Sequence, residues 1–199
     1  MNSAGPLGKH TLNHRIDQHD ETHAAILAAA GQMFRENGFE NAGIGQIMKS
    51  IGKTVGGFYN HFDSKSDLFR GIIDDTVSFP IEGDEPENDS AAHCPEEVLD
   101  MYLSEFHRDN PGIGCIVPSL SAEIARSNDE VRDAYTAFIK RMYSKMAIGM
   151  TPGNGLTRRQ RAMAALAMAV GGLLIARAVN DVQMSDEILQ ATRKAAPRI

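Results

Sequence analysis

A short segment of the chain brings hydrogen-bond donors together with two adjacent glycines. Tyr59, His61 and Lys65 carry donors that suit phosphate oxygens. Gly56 and Gly57 precede them, and inside a short helix each glycine costs about 1 kcal/mol relative to alanine. Stability therefore explains the glycine pair poorly, whereas a backbone that must come close to another molecule explains it better. The floor of a DNA major groove is one candidate for that molecule.

The first part of the chain must position this segment, and its apolar spacing predicts helices separated by glycines. Gly38 and Gly52 end the first two helices, because glycine readily adopts the left-handed backbone found at helix ends. The predicted helices run over residues 17–37, 44–51, 55–62 and 64–79. A long helix followed by two short ones, with glycine in the turn, is typical of a helix-turn-helix domain.

The second half of the chain also has helical spacing, interrupted by loop signals at residues 109–112 and 151–155. We expect helices over residues 95–106, 115–125, 129–150, 157–181 and 185–196. No long segment alternates polar and apolar residues with a period of two, so we predict an all-α fold. It would comprise an N-terminal three-helix helix-turn-helix domain and a larger helical domain.

Domain boundaries follow from shifts in composition. We predict a polar N-terminal tail over residues 1–16, a head over 17–63, a linking helix over 64–80 and a body over 81–199. The body opens with an acidic loop, residues 81–97. The seven charged residues between Ile81 and Leu99 are all acidic, so the rest of the chain sums to +1 within a net charge of −6. An acidic total is therefore compatible with a polyanionic partner at the other end of the chain.

A known family shares the pattern of the head. The segment AILAAAGQMFRENGFENAGIGQIMKSIGKTVGGFYNHFDSKSDLF, residues 25–69, is similar to the DNA-binding domain of the tetracycline-repressor (TetR) family of transcriptional regulators, which includes the AcrR type. The pattern Gly57-Phe58-Tyr59 followed by His61-Phe62 carries most of the likeness. This resemblance implies a homodimeric, sequence-specific repressor of transcription. A small, apolar effector would release it from a pseudo-palindromic operator in double-stranded DNA.

The resemblance also implies which residues contact DNA. The positions that read or grip DNA in the family are occupied here by Thr54, Val55, Gly56, Gly57, Tyr59, Asn60 and His61, with Lys65 as a phosphate contact. Gly43 and Gly45 depart from the family pattern, because side chains that cap the second helix or contact bases are missing there. We therefore add Gln46, the remaining polar neighbour, and Lys53, a basic residue in the turn, to the predicted contacts.

The larger domain of the family binds its effector between helices. The resemblance places the ligand site among apolar and aromatic residues of the body, which are Met101, Tyr102, Phe106, Cys115, Val117, Leu120, Phe138, Met142 and Met146. For each of them a place in the packed core is the alternative, since buried apolar residues need no ligand to explain them.

Cys115 supports a second hypothesis. It stands at the predicted start of a helix, where the helix dipole favours a thiolate. A redox- or electrophile-sensing regulator switched at Cys115 is therefore an alternative function, and a small buried hydrophobe is the simpler explanation of the residue. Cys94 lies among acidic residues that oppose ionisation of its thiol.

The helix predicted over residues 157–181 is apolar on every side, so it must be buried on every side. In a domain of this size, a partner would cover one of its faces. Its small residues and bulkier neighbours, together with the helix predicted over residues 185–196, resemble the two-helix dimer face of the family, with a monomeric core helix as the alternative. The predicted interface residues are Ala165, Leu166, Ala169, Gly172, Leu173, Ala176 and Ile188.

Several other classes of protein find little support. The sequence has no nucleophile–base motif, no metal-ligand spacing and no glycine-rich loop after a strand, so we expect neither an enzyme nor a cofactor. The spaced histidines His10, His14, His19 and His23 lack further ligands, and we predict no metal site. No signal peptide or membrane span is predicted, which indicates a cytoplasmic protein. A protein-interaction adaptor that has lost DNA binding stays open as another alternative.

Overall fold

The computed structural model describes residues 7–76 and 95–198 of the chain, and these are helical with no β-strand among them. The predicted all-α fold is confirmed. The head contains α1 (Leu7–Asn37), α2 (Ile44–Ser50), α3 (Val55–Phe58) and α4 (Lys65–Asp75). The body contains α5 (Pro95–Tyr102), α6 (Glu105–Asp109), α7 (Ile116–Ile124), α8 (Asp129–Ile148), α9 (Arg158–Ala178) and α10 (Val182–Ala195), with short 3-10 helices at Pro111–Ile113 and Ala196–Arg198.

Side-chain caps fix where several helices begin. The Ser64 hydroxyl accepts a hydrogen bond from the Asp67 N–H at 3.0 Å and starts α4. Ser104 does the same for α6, accepting from the His107 N–H at 3.1 Å. That cap divides the single helix predicted over residues 95–106 into α5 and α6. Gly38 and Gly52 have φ of +83° and +69°, as expected for the left-handed turns that end α1 and α2.

The N-terminal boundary of the head differs from the prediction. We expected an irregular tail over residues 1–16, but α1 begins at Leu7. The predicted tail contains no proline after Pro6, and one hydrogen bond per added residue makes extension of an existing helix inexpensive. Polar composition alone therefore did not indicate an end to the helix. The predicted linking helix corresponds to α4, and residues 77–94, including most of the acidic loop, lie outside the described residues.

One apolar core joins the head to the body. Ile26 and Phe34 of α1 and Phe69 of α4 are fully buried, and they belong to the same cluster as Leu120 of α7 and Phe138 of α8. The phenyl rings of Phe34 and Phe69 meet edge to face, with centroids 5.5 Å apart. Because α4 packs against α8, a displacement of α4 changes the packing of both the head and the body.

A second core lies between α5, α8, α9 and α10, and it corrects the predicted dimer face. The six predicted interface residues of α9 (Ala165, Leu166, Ala169, Gly172, Leu173 and Ala176) are buried within the single chain, and Ile188 is half-buried. An ideal Cβ on Gly172 would lie 2.5 Å from the Thr192 Oγ1 of α10. The small residues of α9 therefore let α10 of the same chain come close. The spacing of these residues in the sequence could not show whether they contact their own chain or a second chain.

The opposite face of α9 is apolar and open to solvent. Met163, Met168, Leu174 and Ile175 are 37%, 36%, 50% and 51% exposed, and Met184 on α10 is 50% exposed. By length and composition α9 is the one described helix that could cross a membrane, a test that the central helix of a soluble body also passes. Here α9 contacts α7, α8 and α10.

Candidate nucleic-acid interface and ligand cavity

The short helix α3 presents a polar surface and buries an aromatic one. Phe58 is fully buried, while Val55 and Tyr59 are 47% and 59% exposed. Phe58 and Phe62 stack with centroids 5.7 Å apart and hold α3 against the head. Thr54 is the N-cap residue, yet its side chain makes no capping hydrogen bond and is exposed. Thr54, Val55 and Tyr59 thus face solvent, where another molecule can reach them.

The glycine pair of α3 has open space on one side. An ideal Cβ on Gly56 would meet no atom within 4 Å, and one on Gly57 would meet Met48 and Thr54 at an ordinary 3.8 Å. Packing inside the protein therefore requires neither glycine. This geometry fits the expectation that the α3 backbone comes close to a partner.

Lys65 does not face outward, in contrast to its predicted phosphate contact. Its ammonium donates a hydrogen bond to the Phe39 carbonyl and lies 4.3 Å from the centroid of the Phe39 ring. Lys65, the first residue of α4, therefore contacts the turn between α1 and α2. The spacing of residues in the sequence did not predict this orientation. Lys53 and Asn60 are exposed, and Lys53 is the predicted cation that solvent reaches.

His61 and Gln46 also have internal roles. The His61 ring packs against His19 of α1 with centroids 4.2 Å apart, and burial together with the nearby cationic forms of His19, His23 and Lys53 lowers its pKa. The Gln46 Oε1 accepts a hydrogen bond from the Gly43 N–H at 3.0 Å, so its oxygen caps α2. This is one of the two hydrogen bonds of a capping box, and Gly43 has no side chain that could accept the other.

A cavity of about 440 Å³ lies where α1 and α4 of the head meet the body. Five predicted ligand residues line it, namely Met101, Tyr102, Phe106, Cys115 and Phe138. Val117, Leu120 and Met142 lie in the packed core instead, and Met146 is half-buried between the two cores. The prediction that these four line the ligand site is wrong for this cavity, because their helical spacing is that of core residues.

Sequence reasoning missed the contribution of the head to this cavity. Leu27, Gly31 and Arg35 of α1, Ile72 of α4 and Thr76 directly after α4 line it. One sequence feature could have indicated this contribution, namely Arg35, a charged residue that directly follows the apolar Phe34 in α1. The cavity is thus shared between the head and the body, so a ligand inside it would contact both.

His107 fixes one wall of the cavity in a neutral state. Its Nε2 accepts a hydrogen bond from the Cys115 N–H at 3.0 Å, so its Nδ1 carries the proton and donates to the Tyr102 carbonyl at 2.7 Å. Burial lowers the pKa of His107. Both ring nitrogens are therefore occupied by the protein itself.

Cys115 lines the same cavity, but its thiol is not activated. Burial raises the pKa of Cys115 and outweighs the hydrogen bonds that its sulfur accepts from the Val117 N–H and from Tyr102. The helix start that predicted a thiolate is present, since Cys115 caps α7. Removal from water has the larger effect, because it disfavours the charged form.

Direct hydrogen bonds join the head to the body beside the cavity. The Glu123 carboxylate of α7 accepts from the Phe39 N–H at 2.8 Å. The Arg35 Nε donates to the Gly112 carbonyl at 2.6 Å. The α1–α2 turn is therefore held by Lys65 of the head on one side and by Glu123 of the body on the other.

Comparison with known proteins agrees with the resemblance seen in the sequence. Residues 26–72 match the family described as bacterial regulatory proteins, tetR family. An uncharacterised HTH-type transcriptional regulator of Lactococcus lactis subsp. lactis is 25% identical over 82% of this chain and 87% of its own length. The HTH-type transcriptional repressor BepR of Brucella suis is 32% identical, over 46% of this chain and 36% of its own length.

Solved structures share the fold over nearly the whole chain. The reduced form of E. coli NemR has a TM-score of 0.68 at 18% identity and covers 90% of this chain and 96% of its own. A Saccharomonospora viridis regulator in complex with choline has a TM-score of 0.67 at 20% identity, covering 88% and 95%. Bacillus subtilis FadR in complex with stearoyl-CoA has a TM-score of 0.59 at 18% identity, covering 85% and 96%.

Proposed function

We propose that this chain, a transcriptional regulator of the tetR family, acts as a homodimeric repressor that a small effector releases from its DNA operator. The observation that carries this proposal is the position of the cavity, which α1 and α4 of the head line together with α5, α6 and α8 of the body. A molecule bound there contacts the DNA-binding head directly. The same proposal implies that the protein binds double-stranded DNA and acts in the cytoplasm.

Recognition of DNA relies on the exposed surface of α3. Thr54 and Tyr59 offer hydroxyl groups to phosphate oxygens, and Lys53 offers a charge. Val55 is placed to contact a thymine methyl, while Gly56 leaves room for the groove wall. In a two-fold dimer the two α3 helices enter successive major grooves about 34 Å apart, so the operator is pseudo-palindromic.

The dimer forms through the exposed apolar face of α9 together with the adjoining surface of α10. Met168, Leu174 and Ile175 lie on one side of α9, and a large apolar face on a soluble chain is typical of a protein–protein contact. Two such helix pairs related by a two-fold axis bury these residues as a four-helix bundle.

Release of DNA follows from the cavity between the head and the body. A ligand that fits only one arrangement of α4 against α8 shifts the population of the two arrangements, and DNA and ligand then affect each other's affinity equally. Two structural relatives contain choline and stearoyl-CoA in their crystals, and BepR is named as a repressor. These names support the proposal that the related cavity here takes a small molecule.

Selection from random duplex DNA by the purified protein tests the proposal. We expect an enriched inverted repeat for the natural protein and its loss in a Lys53→Ala/Tyr59→Ala variant, because both side chains are exposed beside α3. A Lys140→Ala/Ile148→Ala variant, altered at exposed positions of α8, serves as the matched control and should select the same repeat. A folded protein that enriches no sequence would instead support the adaptor hypothesis.

Switching at Cys115 is the second candidate function, because this cysteine lines the cavity and is free. The similar NemR structure is of a reduced form. The raised pKa of Cys115 speaks against a reactive thiolate here. A Cys115→Ala variant that binds DNA but no longer responds to oxidants would establish this alternative, and a normal response would exclude it.

A further inference from the structure

Arg35 lines the wall of the cavity. It is half-buried on α1, and its Nε is held by the Gly112 carbonyl at 2.6 Å. Its terminal nitrogens lie over Gly31, where an ideal Cβ would be 3.3 Å from one of them. The absence of a side chain at Gly31 therefore leaves space for the guanidinium against the cavity.

The two terminal nitrogens of Arg35 have no hydrogen bond and no ion pair with any described residue. Glu36, the next residue, accepts a hydrogen bond from Gln32 at 2.9 Å, and Asp75 lines the cavity without pairing with Arg35. Burial lowers the pKa of the Arg35 guanidinium. Half-buried terminal nitrogens that have no partner among the described residues are unfavourable, and a planar carboxylate can accept hydrogen bonds from both of them.

Two other ionisable side chains that line the cavity, His107 and Asp75, do not compete with Arg35 for an anion. Both nitrogens of His107 are engaged with the protein, and its ring is neutral. Asp75 contributes a negative charge to the same cavity, which disfavours a ligand with two negative charges. A single carboxylate is therefore the anion that suits this site.

The cavity also has an exposed apolar surface. Met101, Phe106 and Ile113 line the cavity and are 46%, 66% and 67% exposed. Large apolar side chains around a cavity are typical of a site for a hydrophobic ligand. Their side chains lie on α5, α6 and the 3-10 helix, whereas Arg35 lies on α1.

We propose that the effector is an apolar monocarboxylate whose carboxylate accepts hydrogen bonds from Arg35 and whose apolar part covers Met101, Phe106 and Ile113. This inference rests on the proposed function, since it names the ligand class of the same cavity. Because Arg35 belongs to the head, the ligand would bridge α1 to the body through its charged end and its apolar end.

Calorimetry with three probes of equal chain length tests this inference, namely decanoate, decanol and decyltrimethylammonium. We expect decanoate to bind roughly tenfold or more tightly than decanol, and the cation to bind more weakly than both. Arg35→Gln should reduce decanoate affinity to that of decanol while leaving decanol binding unchanged, which also shows that the cavity is folded. Arg35→Lys should restore part of the preference, and Arg126→Gln, at an exposed arginine outside the cavity, should keep all of it.

Equal binding of decanoate and decanol by the natural protein would overturn the inference, and so would a preference that survives in Arg35→Gln. The release of selected DNA is measured in parallel to separate the two proposals. Decanoate that binds through Arg35 without releasing DNA supports the site and contradicts the proposed repressor. Release of DNA by decanol as readily as by decanoate supports the repressor and contradicts the carboxylate site.

Discussion

Gly56 lies on the open side of α3, and its substitution separates stability from DNA binding. An added Cβ meets no protein atom within 4 Å, and alanine favours a helix over glycine by about 1 kcal/mol. We therefore expect Gly56→Ala to raise the free energy of unfolding by up to about 1 kcal/mol in a urea titration. Its affinity for the selected operator should fall at least about tenfold, because the methyl group meets the groove wall. Unchanged affinity in a gel-shift assay would show that DNA does not approach this backbone.

His107 gives stability a dependence on pH with a defined sign. Its pKa is lowered in the folded protein, so the unfolded chain binds more protons as the pH falls below the ordinary histidine value of about 6.5. The stability that neutral His107 contributes is present above that value and is lost as the pH falls through its folded pKa. His61 adds to the effect in the same direction, because its pKa is also lowered.

We therefore expect the melting temperature to fall as the pH drops below about 6.5. His107→Gln should reduce this fall. The variant should also be less stable at neutral pH, because it loses the hydrogen bond from the Cys115 N–H. Scanning calorimetry at a series of pH values measures both. An equal pH dependence in the variant would exclude His107 as a source of the effect.

At the scale of elements, the α9–α10 contact depends on one missing side chain. An ideal Cβ on Gly172 would lie 2.5 Å from Thr192 Oγ1 and 2.9 Å from Thr192 Cβ. We expect Gly172→Ala to destabilise the protein by about 1–3 kcal/mol, because the helices must separate or α10 must shift. Adding Thr192→Ala should recover part of that loss in a double-mutant cycle of urea titrations. Additive effects would mean that the contact does not limit the packing of α10.

The turn between α1 and α2 is hydrogen-bonded to both the head and the body. Glu123 of α7 accepts a hydrogen bond from the Phe39 N–H, and Lys65 of α4 donates to the Phe39 carbonyl. We expect Glu123→Ala to cost about 1–2 kcal/mol of stability and to weaken the effect of a bound effector on DNA affinity. Glu130→Ala, at an exposed acidic residue of α8, is the control and should leave both unchanged. The ratio of DNA affinities with and without effector is the measurement.

The sequence was sufficient to predict these elements but not what each face contacts. Apolar periodicity and glycine positions located nearly every helix, because both act within a few residues of chain. The direction of Lys65 and the cavity role of Arg35 depend on how α1, α4 and the body meet, which is tertiary. For the same reason the small residues of α9 were predicted to face a second chain, whereas Gly172 accommodates Thr192 of its own chain.

At the scale of the whole molecule, the open face of α9 leads to the last prediction. Leu174 is 50% exposed in the middle of an apolar surface, and a charge there would be buried without a partner in a dimer. We expect Leu174→Glu to convert the protein to a monomer, measured by analytical ultracentrifugation. The single chain should stay folded, because Leu174 contributes little to either core.

Ile148 provides the matched control, since it is 64% exposed but is the last residue of α8 and belongs to neither α9 nor α10. Ile148→Glu should stay dimeric and bind the operator normally. Each Leu174→Glu monomer presents one α3, so it loses the second half-site and binds the inverted repeat no better than a single half-site. A Leu174→Glu protein that stays dimeric would place the interface elsewhere. A monomer that binds the full repeat at normal affinity would show that dimerisation is not needed for recognition.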